Sequence, residues 1–367
     1  MKLTEEIVNK EITDFFLKNP SPLIVFGTGT SCAIDRRFGM TKLKEELVEK
    51  VPKSILGKID LEKEWSEVVK ELNSKNDLEH SMDDVKSEEL IKTIVNVTAK
   101  FVSSLDKDYF NKLYFGDIEW PCSFLLKRLV DRLPESSPIL HVVTPNYDML
   151  AEYAFERYNI PYINGFYGNI CKKINWNNSQ RTMAMKKEIF HSGKKEKSRY
   201  IDLKHINLYK VHGSLNTFLI NGEVVENNLW HSDPPENCER LMITPGISKY
   251  EKITTYRNEL LEKYDAIVKE KDSFLFIGYG FNDPHIERYV RQKLVNQKCC
   301  GIIVTRDWND RIQQLMDKSD NLWLICMEEN SSKQGTRIFN KRYEDWLYLC
   351  DKQLWDMSLF TKEFIGD

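Results

Sequence analysis

Short apolar runs recur along the chain between longer stretches of helical spacing: PLIVF at 22–26, PILHVV at 138–143, LYKV at 208–211, LMI at 241–243, SFLFI at 273–277, GIIV at 301–304 and LWLI at 322–325. Runs this short, rich in β-branched and aromatic residues and without polar alternation, have the pattern of strands buried on both faces. From 244 onward each interval holds one helix. YEKITTYRNELLEKYDAIVKEK and PHIERYVRQKLVNQK keep apolar positions three and four apart, and Pro284 suits a first helical turn. Strands alternating with helices predict an α/β protein built on a Rossmann-like, doubly wound parallel sheet.

Two stretches break the alternation. Residues 43–132 carry helical patterns (LKEELVEKV, LEKEWSEVVKEL, SEELIKTIVNVTAKFVSSL, FLLKRLVDRL) and no convincing strand, which predicts a helical insertion subdomain between the first and second strands. The remainder, 1–42 and 133–330, would be one discontinuous domain. Residues 171–205 are lysine-rich with little apolar periodicity and read as a mobile basic loop. Such a loop is more often merely solvated than in contact with a phosphate or a partner. Asn221-Gly222 between TFLI and EVVE predicts a tight hairpin. The segment 331–367 carries Trp346, Leu347, Leu349, Leu354, Trp355, Leu359, Phe360 and Phe364, too apolar for a free tail; it either packs back on the sheet or meets another subunit.

Bulk charge narrows the partners little. A net charge of −3 with 30% charged residues gives no global positive field, so direct nucleic-acid binding is not indicated. The amino terminus carries acidic residues through its apolar pattern, unlike a signal peptide, and no run approaches membrane-spanning length; a soluble, cytoplasmic protein is expected. None of the eight cysteines forms a Cys-x-x-Cys pair, so no metal site is expected.

The polar chemistry gathers at strand ends: FGTGTS at 26–31, TPNYD at 144–148, VHGS at 211–214, TPGIS at 244–248 and GYGFND at 278–283. In an open α/β sheet ligands bind outside the carboxyl ends of the strands, so these segments are candidates for one pocket. Gly27 and Gly29 follow a strand as a pyrophosphate-approaching turn would, and Thr28, Thr30 and Ser31 add hydroxyls. A dehydrogenase fingerprint would need a third glycine where Cys32 stands, and a P-loop would need Gly-Lys-Ser/Thr; neither is present. Asn146 and Asp148 either cap the helix that follows or serve a site. His212 is either a satisfied histidine at a sheet end or a base, an imidazole being able to accept a proton near its ordinary pKa of roughly 6.5. His285 reads as structural, with Asp283 as the cap of its helix.

The ordered set GTGTS, TPNYD, VHGS and GYGFNDPHI resembles the sirtuin-like family, and within it the bacterial NAD-cleaving branch used in antiviral defence rather than the zinc-bearing protein deacylases. The resemblance spans residues 22 to about 305. It implies a phosphate-binding loop at Gly27, Thr28 and Gly29, beside which Thr30 and Ser31 offer their hydroxyls to the cofactor, with Asp35 a loosely spaced addition. It further implies catalytic roles for Asn146 and His212, and dinucleotide contacts from Asp148, Gly278, Tyr279 and Asp283. Thr28 and Pro145 stand where the family generally has alanine and glutamine, which bears on the nicotinamide pocket. The activity implied is NAD+ glycohydrolysis to nicotinamide and ADP-ribose, with NAD+ as substrate. ADP-ribosyl transfer, deacylation and a non-catalytic NAD+ or ADP-ribose sensor are the rivals. An enzyme that consumes NAD+ must be gated; a homo-oligomer and a separately encoded regulator such as a hexameric ATPase are the expected partners.

Overall fold

The repeated apolar runs form the middle of one large sheet. The computed structural model describes residues 2–75, 78–82, 85–191, 194–243, 251–295, 299–328, 334–343 and 345–366. The chain begins with α1 (Glu5–Lys18), β1 (Leu23–Phe26) and the short α2 (Gly29–Cys32), then runs through α3 (Met40–Ser54), α4 (Ile59–Lys75), α5 (Leu78–Met82), α6 (Glu88–Phe115) and α7 (Ser123–Arg132). Next come β2 (Ile139–Thr144), α8 (Leu150–Arg157), β3 (Tyr162–Ile163), β4 (Phe166–Tyr167), β5 (Lys172–Ile174), α9 (Trp176–Arg181), β6 (Ala184–His191), β7 (Lys194–Asp202), β8 (His205–Lys210), β9 (Gly213–Ile220), β10 (Glu223–Glu226) and β11 (Glu239–Met242). The last part holds α10 (Glu251–Glu270), β12 (Ser273–Ile277), α11 (Pro284–Val295), β13 (Cys300–Val304), α12 (Asp310–Met316), β14 (Leu322–Met327), β15 (Thr336–Phe339), β16 (Leu347–Leu349) and α13 (Met357–Phe364).

Among the described residues the main sheet has the order β16-β15-β14-β13-β12-β1-β2-β8-β3. It is parallel from β14 to β3, with β15 and β16 antiparallel at one edge. The chain builds outward from β1 to β2 and β8, then returns to the other side of β1 for β12, β13 and β14. The order therefore reverses between β1 and β12, and at such a switch point the loops diverge and leave a crevice at the carboxyl ends of the strands.

Alternation along each strand sends successive side chains to opposite faces. Ile24, Phe26, Leu140, Val142, Leu275 and Ile277 share one core with helices α1, α3, α6, α7, α8 and α13. Leu23, Val25, Val143, Phe274, Phe276 and Ile303 face the other way, beneath α10, α11 and α12. The sheet is thus covered by helices on both faces, as its unbroken apolar strands require. The helices within 43–132 carry Trp65, Leu90 and Val102 into the same core as Leu140, so no seam divides that stretch from the sheet.

Two expectations change, and one left open is resolved. LMI is not a strand of the parallel sheet: β11 pairs antiparallel with β9, in a second sheet of order β11-β9-β10-β5-β4. That sheet contains the expected hairpin, whose turn residues Asn221 and Gly222 both have positive φ, 50° and 83°, the type I′ requirement. The stretch 171–205 is not a loop; it contains α9 and a two-stranded ribbon, β6 with β7. The ribbon's lysine-rich strands carry little apolar alternation, so hydrophobic periodicity does not reveal them. The carboxy-terminal segment packs back. Phe360 is fully buried with its ring 6.0 Å from Phe16 of α1, and Arg132 of α7 donates to the Ile365 carbonyl at 2.8 Å.

His141, on β2, packs against Tyr209 with Nδ1 3.2 Å from its hydroxyl. Burial, with smaller contributions from Lys271 and His205, pushes this imidazole down to about 3. Between about 6.5 and 3 the unfolded chain takes up a proton at this position that the folded chain refuses, so folding stability falls as pH falls, by at most about 1.4 kcal/mol per pH unit. Urea midpoints measured from pH 7 to 4 should decline, and His141→Asn should flatten the decline. An unchanged slope in the variant would place the acid sensitivity elsewhere.

Candidate functional site

The glycines after β1 answer first to backbone packing. A Cβ on Gly27 would lie 2.3 Å from the Gly278 carbonyl oxygen, and one on Gly29 would lie 2.6 Å from the Gly278 Cα. Gly278 itself has φ +58°. The turns leaving β1 and β12 can touch at the switch point only because all three lack side chains. The amides are committed to the same packing: Gly27 N–H donates to the Ile277 carbonyl at 2.9 Å and Gly29 N–H to the Gly278 carbonyl at 3.0 Å. Those of Thr30, Ser31 and Cys32 close the α2 turn onto Gly27 and Thr28 carbonyls. The amides of Gly27, Gly29, Thr30, Ser31 and Cys32 are thus all occupied by backbone carbonyls. Thr28 and Gly29 are the loop residues that reach the surface.

Asn146 ties the end of β2 to this loop. Its Nδ2 donates towards the Gly27 carbonyl (3.0 Å), Thr30 Oγ1 (3.2 Å) and Ser31 Oγ (3.1 Å). That network assigns the amide orientation and leaves Oδ1 as an acceptor with no hydrogen bond among the described residues. Asn146 does not cap α8. Asp148 serves that end, its Oδ1 accepting from Leu150 N–H at 3.3 Å while Oδ2 accepts from Ser31 Oγ at 2.7 Å. Burial pushes the Asp148 carboxyl up, opposed by the nearby Lys210 cation and the Ser31 hydrogen bond.

His212 sits one residue past the Val211 that follows β8. Gly213 then turns the chain with φ +78°, and a Cβ there would fall 1.8 Å from the Leu241 carbonyl oxygen; its bareness admits β11 rather than a ligand. The His212 carbonyl accepts from Ile243 N–H at 2.8 Å, and its Nε2 lies 2.7 Å from Asp283 Oδ2. Asp283 is itself fixed, its Oδ1 accepting from the His285 and Ile286 amides at 2.8 and 3.4 Å at the start of α11. A carboxylate on Nε2 selects the tautomer protonated there and leaves Nδ1 as the lone-pair nitrogen. The His212 side chain is 15% exposed, reachable yet held.

The structure thus joins Gly27, Thr30, Ser31, Asn146 and Asp148 into one network, brings Gly278 against the same loop, and pairs His212 with Asp283. Two expected contacts fall outside it. Tyr279 is buried among Phe276 and Phe281, so its ring packs instead of lining the crevice. Asp35 is engaged by its own neighbours: burial raises its carboxyl, but hydrogen bonds from the Arg37 side chain and backbone and from the Tyr109 hydroxyl outweigh this and hold it at about 2. The stretch TPGIS, 244–248, lies outside the described residues.

Other functional neighbours carried no signal in the sequence. Lys210, at the end of β8, is buried with Glu152 of α8 (Nζ to Oε1 2.9 Å), and its Nζ also donates to the Asp148 carbonyl. Asp106 of α6 is wholly buried and accepts from Met149 N–H (2.7 Å), the Tyr153 hydroxyl and His231 Nε2 (2.9 Å). It thereby clasps the loop that carries Asn146 from a helix 43 positions away. A cleft of about 350 Å³ lined by Val48, Pro52, Ile55 and Trp65, and one of about 210 Å³ beside Glu156, Tyr162 and Asn164, include neither Asn146 nor His212. Among the described residues no group of three or more His, Cys, Asp or Glu side chains is placed to hold a metal ion, and no helix is long and apolar enough to cross a membrane.

Fold and site together define a Rossmann-like α/β protein with an amide, a carboxylate and a histidine–carboxylate pair at its strand ends. A family model described as a SIR2-like domain matches residues 140–298. That span begins in β2 and takes in Asn146, Asp148, His212, Gly278 and Asp283, leaving the glycine loop outside. A solved structure described as "Structural Basis for the Mechanism and Regulation of Sir2 Enzymes" is similar over 86% of this chain and 92% of its own, at 12% identity and a TM-score of 0.41. Comparison with curated proteins finds no match.

Proposed function

We propose that this protein is an NAD+ glycohydrolase, releasing nicotinamide and ADP-ribose, and that depletion of NAD+ in antiviral defence is its cellular use. The observation that carries the reading is the pairing of His212 Nε2 with Asp283 at 2.7 Å beside an Asn146 whose Nδ2 is locked and whose Oδ1 is uncommitted. Two acceptors, Asn146 Oδ1 and His212 Nδ1, then stand at the ends of adjacent parallel strands, where they can orient a water and take its proton. In the reaction the C–N bond to nicotinamide breaks with its electron pair going to the ring nitrogen, so nicotinamide leaves neutral. The water oxygen bonds to the anomeric carbon, and its proton passes to His212 Nδ1. The buried Asp148 adds negative charge near the loop where positive charge develops on the ribose. A pyrophosphate would meet the loop at Thr28 and Gly29, its surface residues. A residue held by a helix-bound carboxylate suits catalysis better than silent sensing. With the carboxy-terminal segment folded onto α1 and α7, a homo-oligomer or separate regulator would have to dock elsewhere.

Incubation of the purified chain with NAD+, followed by chromatography, should give nicotinamide and ADP-ribose in equal amounts without an added acceptor. Asn146→Ala should lower turnover by about 10²-fold or more through lost water positioning. If ADP-ribose appears only attached to protein, the enzyme is a transferase; if NAD+ binds and persists, it is a sensor.

A further inference from the structure

We infer that the β6–β7 ribbon is a binding surface for duplex DNA, gripping the phosphate backbone from within or across a groove. Residues 184–202 hold six Lys or Arg and three Asp or Glu, a net charge of +3 in a chain of −3, so the rest of the molecule carries −6. The ribbon is thus a net positive element in a net negative chain. Among the described residues that element forms a separate two-stranded sheet, β6 with β7. It leads directly into β8, which starts at His205 and ends at Lys210 beside the candidate site, so the ribbon leaves the body at the opposite end of that strand.

Its register points to an anion. Lys187 lies directly opposite Arg199. Like charges placed opposite each other weaken a strand pair; a polyanion laid along the ribbon turns this pair from repulsion into shared neutralisation. Lys186, Lys187 and Arg199 are exposed and form no ion pair among the described residues, and Met185 and Tyr200 stand exposed between them at 48% and 73%. Strands of eight and nine residues reach about 30 Å, and a two-stranded ribbon fits the major groove of B-DNA.

Fluorescence anisotropy with a labelled duplex of about 24 base pairs should show binding that weakens steeply with salt, as counterion release requires. The triple variant Lys186→Glu, Lys187→Glu, Arg199→Glu should bind at least about tenfold more weakly, with a log–log salt slope smaller by about 3. Its melting temperature and NAD+ turnover should be unchanged, since these three side chains are exposed and belong to neither described core nor candidate site. Single-stranded DNA and duplex RNA of the same length should bind more weakly than duplex DNA, because a ribbon does not enter the deep, narrow A-form groove. Absent binding at low salt, or a variant that binds as well as the native chain, overturns the inference. A variant that keeps DNA affinity but changes the mass seen by light scattering would instead make the ribbon an arm between copies of this chain.

Discussion

His212→Ala is expected to lower NAD+ turnover by about 10² to 10⁴, the usual range for a lost general base, while NAD+ affinity stays within a few-fold of the native value. The imidazole takes its proton only as water attacks, so its removal acts on the transition state and leaves ground-state binding alone. Asp283 separates the histidine's two requirements. Asn at position 283 can still cap α11, since Asn and Asp are comparable caps, but it carries no charge to oppose the imidazolium that forms. Asp283→Asn should therefore fold like the native chain and lose turnover, by less than His212→Ala does. The two changes combined should cost little more than His212→Ala by itself, because residues acting as a unit are not additive. Native-like turnover in His212→Ala would remove this histidine from the mechanism; a loss confined to the Michaelis constant would make it a binding residue.

The sheet was legible because burial on both faces writes itself into the chain as unbroken apolar runs. PLIVF, SFLFI, GIIV and LWLI became β1, β12, β13 and β14 with their boundaries nearly as read. The strand-end segments were legible for a related reason: a Pro after β2 and a Gly after β12 mark where pairing stops, and the polar residues that follow have nowhere to go but the crevice. The glycines serve a packing role that the sequence does not display: Gly27 and Gly29 lie against the backbone of Gly278. A sequence shows that a close approach occurs without showing what approaches. The ribbon was hidden because its lysine-rich strands lack apolar alternation, and the contacts of Asp106 because they join positions 43 and 125 apart.

Lys210→Met is expected to cost about 3–5 kcal/mol at neutral pH, the range for removing one partner of a buried ion pair. Both members are almost inaccessible, with side chains 6% and 5% exposed, so water cannot replace the lost cation. Burial already pushes the Glu152 carboxyl up, with Lys210 the main influence holding it down. Without the lysine it rises further. A carboxyl whose folded pKa lies above its unfolded value favours folding when protonated, and that contribution fades as pH climbs through the folded pKa. The deficit of Lys210→Met should therefore be smallest in acid and largest at neutral pH and above, opposite in slope to the His141 effect. Adding Glu152→Gln should recover most of the stability by removing the stranded charge. It should not recover turnover. The Lys210 Nζ also donates to the Asp148 carbonyl and approaches that of Tyr147 at 3.5 Å, and nothing in the double variant replaces those bonds. The loop bearing Asn146 would stay loose while the fold is restored. Urea midpoints from pH 5 to 8, read beside NAD+ turnover, test both halves: a single variant as stable as the native chain at pH 7 would deny the ion pair its structural weight, and a double variant with full turnover would deny Lys210 its hold on the catalytic loop.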